Sequence, residues 1–104
     1  MNRLFELLFG GAREFHQVRV ESKTFEFEFA RQPDGRIRIY IEGQPSYGRR
    51  STDLQSTHRY FEGGRYFVCI QDHLAPRDFA EARGWANYFA VQTSRYIQTG
   101  QQFS

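Results

Sequence analysis

From Glu14 to Glu42 the apolar residues recur at every second position, and this alternation restricts the fold more than any other feature of the chain. His16, Val18 and Val20 alternate with Gln17, Arg19 and Glu21. Phe25, Phe27 and Phe29 alternate with Glu26 and Glu28, and Ile37, Ile39 and Ile41 with Arg36, Arg38, Tyr40 and Glu42. Successive side chains of a strand point to opposite faces, so a period of two means strands with one dry face and one wet face. That is the pattern of an antiparallel sheet covered on one side.

The turns predict the register. Gln32-Pro33-Asp34-Gly35-Arg36 suits a type I turn followed by a glycine bulge, with Pro presetting φ and Gly taking the left-handed position. This closure pairs Phe29 with Ile39 and Phe27 with Ile41. A turn around Ser22-Lys23 pairs Val20 with Phe25, Val18 with Phe27 and Arg19 with Glu26. Both closures bring the apolar faces together and predict a three-stranded meander over 14–42, with Glu26 opposite Glu42 on the wet face.

The segment 58–71 reads as a second hairpin. Glu62-Gly63-Gly64-Arg65 is a two-residue turn that pairs Glu62 with Arg65, Phe61 with Tyr66, Tyr60 with Phe67 and His58 with Cys69. Phe61, Tyr66, Val68 and Ile70 fall on one face, and Tyr60, Phe67 and Cys69 on the other. The two glycines are a turn and not a phosphate loop, because a phosphate loop leads from a strand into a helix.

The period changes to 3.6 at both ends of the chain. Residues 76–99 predict a long helix, with Pro76 at its first position and Gly100 closing it. Phe79, Ala82, Trp85, Ala86, Phe89, Ala90, Thr93, Tyr96 and Ile97 share one arc, which covers the dry face of the sheet. Residues 2–9 predict a short helix, apolar nearly all round, ended by Gly10-Gly11. The polar stretch 43–57 is a long connection with room for a short edge strand. The fold class is α+β in a single domain, 1–104: helix and hinge (1–11), meander (14–42), loop (43–57), hairpin (58–71) and helix (76–99). The sheet has about five strands, with the long C-terminal helix across one face.

Composition narrows the function classes. The charge is nearly balanced, +2 overall, so charge alone does not point to nucleic acid. All fourteen basic residues but Lys23 are arginine, and they are spread along the chain. Arg36, Arg38, Tyr40, Arg59 and Arg65 form a candidate nucleic-acid surface, since guanidinium groups hold phosphates while rings stack on bases. Glu26, Glu28 and Glu42 share part of that face and oppose it. One cysteine excludes an intramolecular disulfide, and the expected setting is the cytoplasm. The run Leu4–Phe9 is too short for a membrane span, so no membrane association is expected.

His58 and Cys69, with Asp72 and His73 close by, are the nearest approach to a nucleophile and base or to a metal site. Closely spaced ligand pairs are missing, and a cysteine within Phe-Val-Cys-Ile behaves as a small hydrophobe. No catalytic residue, metal or cofactor is assigned. The outer side of the C-terminal helix carries Ala80, Gly84, Tyr88 and Val91, where a solvated face favours Glu, Lys and Gln. Together with Tyr60 and Phe67 these are the candidate partner-binding residues. The sequence therefore predicts a small non-catalytic binding or adaptor module acting through protein–protein contacts, self-associating as a homodimer or bound to another protein. The alternative is a single-stranded nucleic-acid-binding protein, and the third is a Cys/His-dependent enzyme or metal site.

Overall fold

The computed structural model describes residues 12–104. Strands β1 (Arg13–Val20), β2 (Lys23–Arg31) and β3 (Ile37–Gly43) are followed by a four-residue helix α1 (Leu54–Thr57). Strands β4 (Arg59–Glu62) and β5 (Arg65–Val68), a 3₁₀ turn (Asp72–Leu74) and the long helix α2 (Phe79–Thr99) complete the chain. The five strands form one antiparallel sheet in the order β1-β2-β3-β5-β4. The α+β class, the five strands and the long C-terminal helix agree with the sequence reading. The expected helix 2–9 falls outside the described residues, and the short helix of the structure lies mid-chain instead.

The β2–β3 turn closes as expected: Gly35 takes φ 89° and its N–H donates to the Gln32 carbonyl. Phe29 lies opposite Ile39 and Phe27 opposite Ile41. A bulge then displaces Glu42, so that Glu26 faces Gly43 and the expected Glu26–Glu42 repulsion does not arise. The β1–β2 hairpin differs from expectation by two residues. Val20 pairs with Lys23, Val18 with Phe25 and Arg19 with Thr24, because Glu21 adopts the left-handed conformation (φ 58°) and the turn is Glu21-Ser22. A shift of two keeps every side chain on its face. It also lets all of β1 pair within β2, whereas the expected register would run Arg13 against Gln32, whose N–H is already committed to the Arg36 carbonyl.

The dry face supplies Phe25, Phe27 and Phe29, all essentially inaccessible, with Ile37, Ile39 and Val68. Ala82, Ala86 and Ala90 of α2 sit directly over them, and Phe89 meets Phe27 edge to face at 6.0 Å. Small residues at four-residue spacing let the helix approach closely, and each buried Phe contributes about 1.5–3 kcal/mol. The helix starts at Phe79, three residues later than Pro76. Asp78 is its N-cap, accepting from the Glu81 N–H at 2.8 Å, while Pro76 is buried and its carbonyl accepts from Ile37 N–H. Asp-x-x-Glu is the signature of a capping box, and it fixes the boundary more firmly than a proline does.

Beyond Gly43, the last residue of β3, the 43–57 connection holds no strand and is anchored along its length. Tyr47 is buried against Tyr96, with ring centroids 6.1 Å apart, and burial pushes its phenol above the usual value. The Tyr96 hydroxyl donates to the Ser51 carbonyl. Arg50 donates to the Ile97 and Gln98 carbonyls at the end of α2, where a cation also suits the helix dipole. The C-terminal residues then fold back, stacking Phe103 on the His58 ring at 4.3 Å and against Phe89.

Candidate interaction surface

The helix covers β1, β2 and β3, and of the hairpin β4–β5 only Val68, at the end of β5, lies in the core beneath it. Gly63 and Gly64 both have positive φ, as a two-residue hairpin turn of this kind requires, and the expected pairs form: Tyr60 with Phe67, Phe61 with Tyr66, Glu62 with Arg65. On the helix side Phe61 and Tyr66 pack ring to ring at 4.8 Å, yet Phe61 stays 61% exposed. On the open side Tyr60 and Phe67 pack at 5.6 Å, and Tyr60 is 43% exposed. The hairpin thus presents aromatic rings from both faces.

The sheet's open face joins this hairpin to the meander through side chains. Phe67 lies opposite Tyr40, the one β3–β5 bridge. The Arg38 guanidinium sits 4.1 Å from the Phe67 ring centroid and pairs with Glu62 at 3.3 Å. That of Arg65 sits 3.6 Å from the Tyr40 centroid and pairs with Glu42. It also lies 3.6 Å from Glu28, which Arg13 approaches at the same distance from the other side. Glu28 is only 6% exposed despite its place on the wet face.

Of the five nucleic-acid candidates, Arg38, Tyr40 and Arg65 therefore come together. Arg36 is engaged at the β2–β3 turn by Asp34 and Asp72, and Asp34 is held below the usual carboxylate range by the Arg36 hydrogen bond. Arg59 lies on the other face, its guanidinium 3.7 Å from the Tyr66 ring centroid and 4.8 Å from that of Tyr47. Carboxylates already pair with Arg38 and Arg65 on the open face.

The helix-back residues are placed less uniformly than their spacing suggests. Ala80, Gly84 and Val91 are exposed, and a side chain added at Gly84 would meet nothing among the described residues. A mid-helix glycine costs about 1 kcal/mol relative to alanine. Tyr88 instead donates to the Ser104 carbonyl and packs against Trp85 and Phe103. His58 and Cys69 are joined through backbone, Cys69 N–H to His58 carbonyl, and both line one groove beside α2. The His58 ring is stacked on Phe103, whereas the Cys69 thiol neighbours the Tyr60 hydroxyl and raises that phenol above its usual value. Among the described residues no cluster of three or more His, Cys, Asp or Glu is placed to hold a metal, and no helix is long and apolar enough to cross a membrane.

Three exposed rings escaped the sequence reading. Phe15, 73% exposed, stands on the open face of β1, and its signal was a ring at a wet position of the alternation. Phe61 and Tyr66 share a face with Val68, which the helix covers, and no sequence signal tells where that cover stops. No protein-family model matches the chain, and neither a curated protein nor a solved structure matches it.

Proposed function

We propose that the protein is a small, non-catalytic binding module that acts through protein–protein contacts and associates with itself by its β4–β5 hairpin. The observation that carries this reading is the pair of aromatic couples, Phe61–Tyr66 and Tyr60–Phe67, held by a tight turn outside the cover of α2. Rigid aromatic side chains on a preorganised hairpin lose little conformational freedom on binding, and aromatic residues are enriched at interface centres. Light scattering of the intact protein tests it. A dimer mass that becomes a monomer mass in Phe61→Asp, with the circular dichroism spectrum retained, is the expected result. A concentration-independent monomer for the unmutated protein overturns self-association.

Binding of single-stranded nucleic acid is the second reading, favoured by the Arg38 and Arg65 guanidinium groups stacked on Phe67 and Tyr40. It requires a phosphate backbone to displace Glu62, Glu42 and Glu28 from those arginines. Retention on single-stranded DNA at low salt that falls steeply with added salt would favour it, and no retention removes it.

A further inference from the structure

Four buried polar atoms come together where the 43–57 connection, β4 and α2 meet: the Tyr47 hydroxyl, Gln44 Oε1, Arg59 Nε and Thr93 Oγ1. None of them has a hydrogen-bond partner among the described residues. Tyr47 is only 7% exposed, and Thr93 is inaccessible. An unpaired buried polar group is costly, so four in one place call for a common partner. We propose that this partner is a single ordered water molecule, bound in the interior and joining the connection, the hairpin and the helix at one point. The site is independent of what the hairpin surface binds.

The surroundings of Tyr47 place the four groups together. Its ring packs on that of Tyr96, close to Thr93 in α2, at 6.1 Å, and the Arg59 guanidinium lies 4.8 Å from its centroid. Burial raises the phenol, while Gln44, the Arg59 charge and Thr93 lower it, so all three stand beside it. Yet neither Gln44 nor Thr93 is aligned to bond the hydroxyl directly. Groups that are close without being aligned have the spacing that a bridging molecule leaves. Each of them is also otherwise uncommitted. The Gln44 amide nitrogen donates to the Pro45 carbonyl at 3.1 Å, which leaves Oε1 as the free end of that side chain. Thr93 does not return its hydroxyl to the carbonyl one turn earlier, as Thr99 does to that of Arg95. Arg59 pairs with no carboxylate among the described residues, and its guanidinium is held over the Tyr66 ring at 3.7 Å.

The balance of donors and acceptors selects water. Arg59 Nε–H can only donate and Gln44 Oε1 can only accept, while the two hydroxyls do either. A water that accepts from Arg59 and Tyr47 and donates to Gln44 and Thr93 satisfies all four, within the roughly two to four hydrogen bonds that buried waters make. A small anion has no proton to give Gln44 Oε1. A metal ion or an ammonium group would face the Arg59 charge and accept nothing from its Nε–H. Gln44 follows β3, Tyr47 lies in the connection, Arg59 opens β4 and Thr93 belongs to α2. The water therefore fixes the first residue of β4 against the helix, on the side of the sheet opposite the Arg38 and Arg65 stacks.

Dipolar transfer from water, read by NMR at the Arg59 Nε–H of the nitrogen-15-labelled full-length protein, tests the assignment. A cross peak with the water resonance, of the sign that separates a bound water from proton exchange, is expected in the unmutated protein. It should persist in Tyr47→Phe and in Thr93→Val, because a water that loses one partner keeps the others. Absence of the peak in the unmutated protein overturns the proposal, since the four groups then bond to one another directly. A peak that vanishes in either single variant also overturns it, marking transfer relayed through that hydroxyl. Oxygen-17 relaxation dispersion of the solvent supplies a second reading: its amplitude should fall by one long-lived water in Gln44→Leu/Thr93→Val, and an unchanged amplitude in the folded double variant sinks the assignment. The spectrum of the unmutated protein decides the matter where a variant does not fold.

Discussion

Replacing Arg65 by methionine tests whether the arginines of the open face hold the sheet together. Methionine keeps most of the apolar stem and removes the charge. Three interactions are lost. The guanidinium over Tyr40, 3.6 Å from the ring centroid, contributes about 0.5–1 kcal/mol at an exposed site. The partly exposed pair with Glu42 adds about 0.2–1 kcal/mol. Glu28, 6% exposed and with an Oε1 that has no hydrogen-bond partner among the described residues, keeps only Arg13 at 3.6 Å. Stranding a buried charge completely costs about 3–5 kcal/mol, and with one cation remaining about 1 kcal/mol is a reasonable share. The total is about 2 kcal/mol, equivalent to a fall in Tm of about 10 °C for a chain of this size. Urea unfolding followed by circular dichroism and Trp85 fluorescence measures it. Arg65→Met/Glu28→Gln should regain about half, since the neutral amide no longer needs the cation. A loss below about 0.5 kcal/mol, ordinary for a surface substitution, would refute the reasoning, as would a double variant no more stable than the single one.

Asp78→Ala should cost about 1 kcal/mol by removing the cap on the Glu81 N–H, with Asp78→Ser recovering most of it in thermal unfolding. The Glu14 carboxyl lies below its usual value of 4.5, mainly because the Arg83 guanidinium hydrogen-bonds to it. A depressed folded value means that its stabilisation is present above about pH 4.5 and is lost as the pH falls through the folded value. Arg83→Leu should therefore flatten the acid limb of the stability profile below that pH, as read by acid unfolding, and an unchanged limb would show that this pair is not coupled to folding.

The alternation in β1–β3 made the faces of the meander legible, because a two-residue period survives any register shift of two. The same property hid the β1–β2 register. Nothing in Val20-Glu21-Ser22-Lys23 marks Glu21 as left-handed, while Gly35 and Gly63-Gly64 announced their turns. The buried arc of α2 is readable from Ala82, Ala86, Phe89 and Ala90, while its start lies three residues beyond Pro76, where the Asp78 side chain caps the Glu81 N–H. Pairings at long range were not legible at all. The Arg65–Glu28–Arg13 cluster needs the strand order, and that order depends on how a fifteen-residue connection returns the chain to β3. For the same reason the five arginine and tyrosine candidates looked equivalent in sequence, although Arg59 stands on the face opposite Arg38 and Arg65.

The single backbone bridge between β3 and β5, Tyr40 with Phe67, divides the sheet into two blocks of unequal cooperativity. The meander is closed by long ladders on both sides of β2, so the amides bonded in those ladders are expected to exchange with solvent chiefly through global unfolding. The hairpin is held to it by that bridge, by Val68 at the end of β5 buried in the core, and by two guanidinium stacks and a few ion pairs within reach of water. It can open as a local unit at a fraction of the global unfolding free energy, as segments with few buried apolar contacts do. An opened β4–β5 leaves the outer edge of β3 free and carries its own complementary edge on β5. Two such molecules can exchange hairpins without forming any contact that is absent from the monomer, which gives this fold an inexpensive route to a domain-swapped pair.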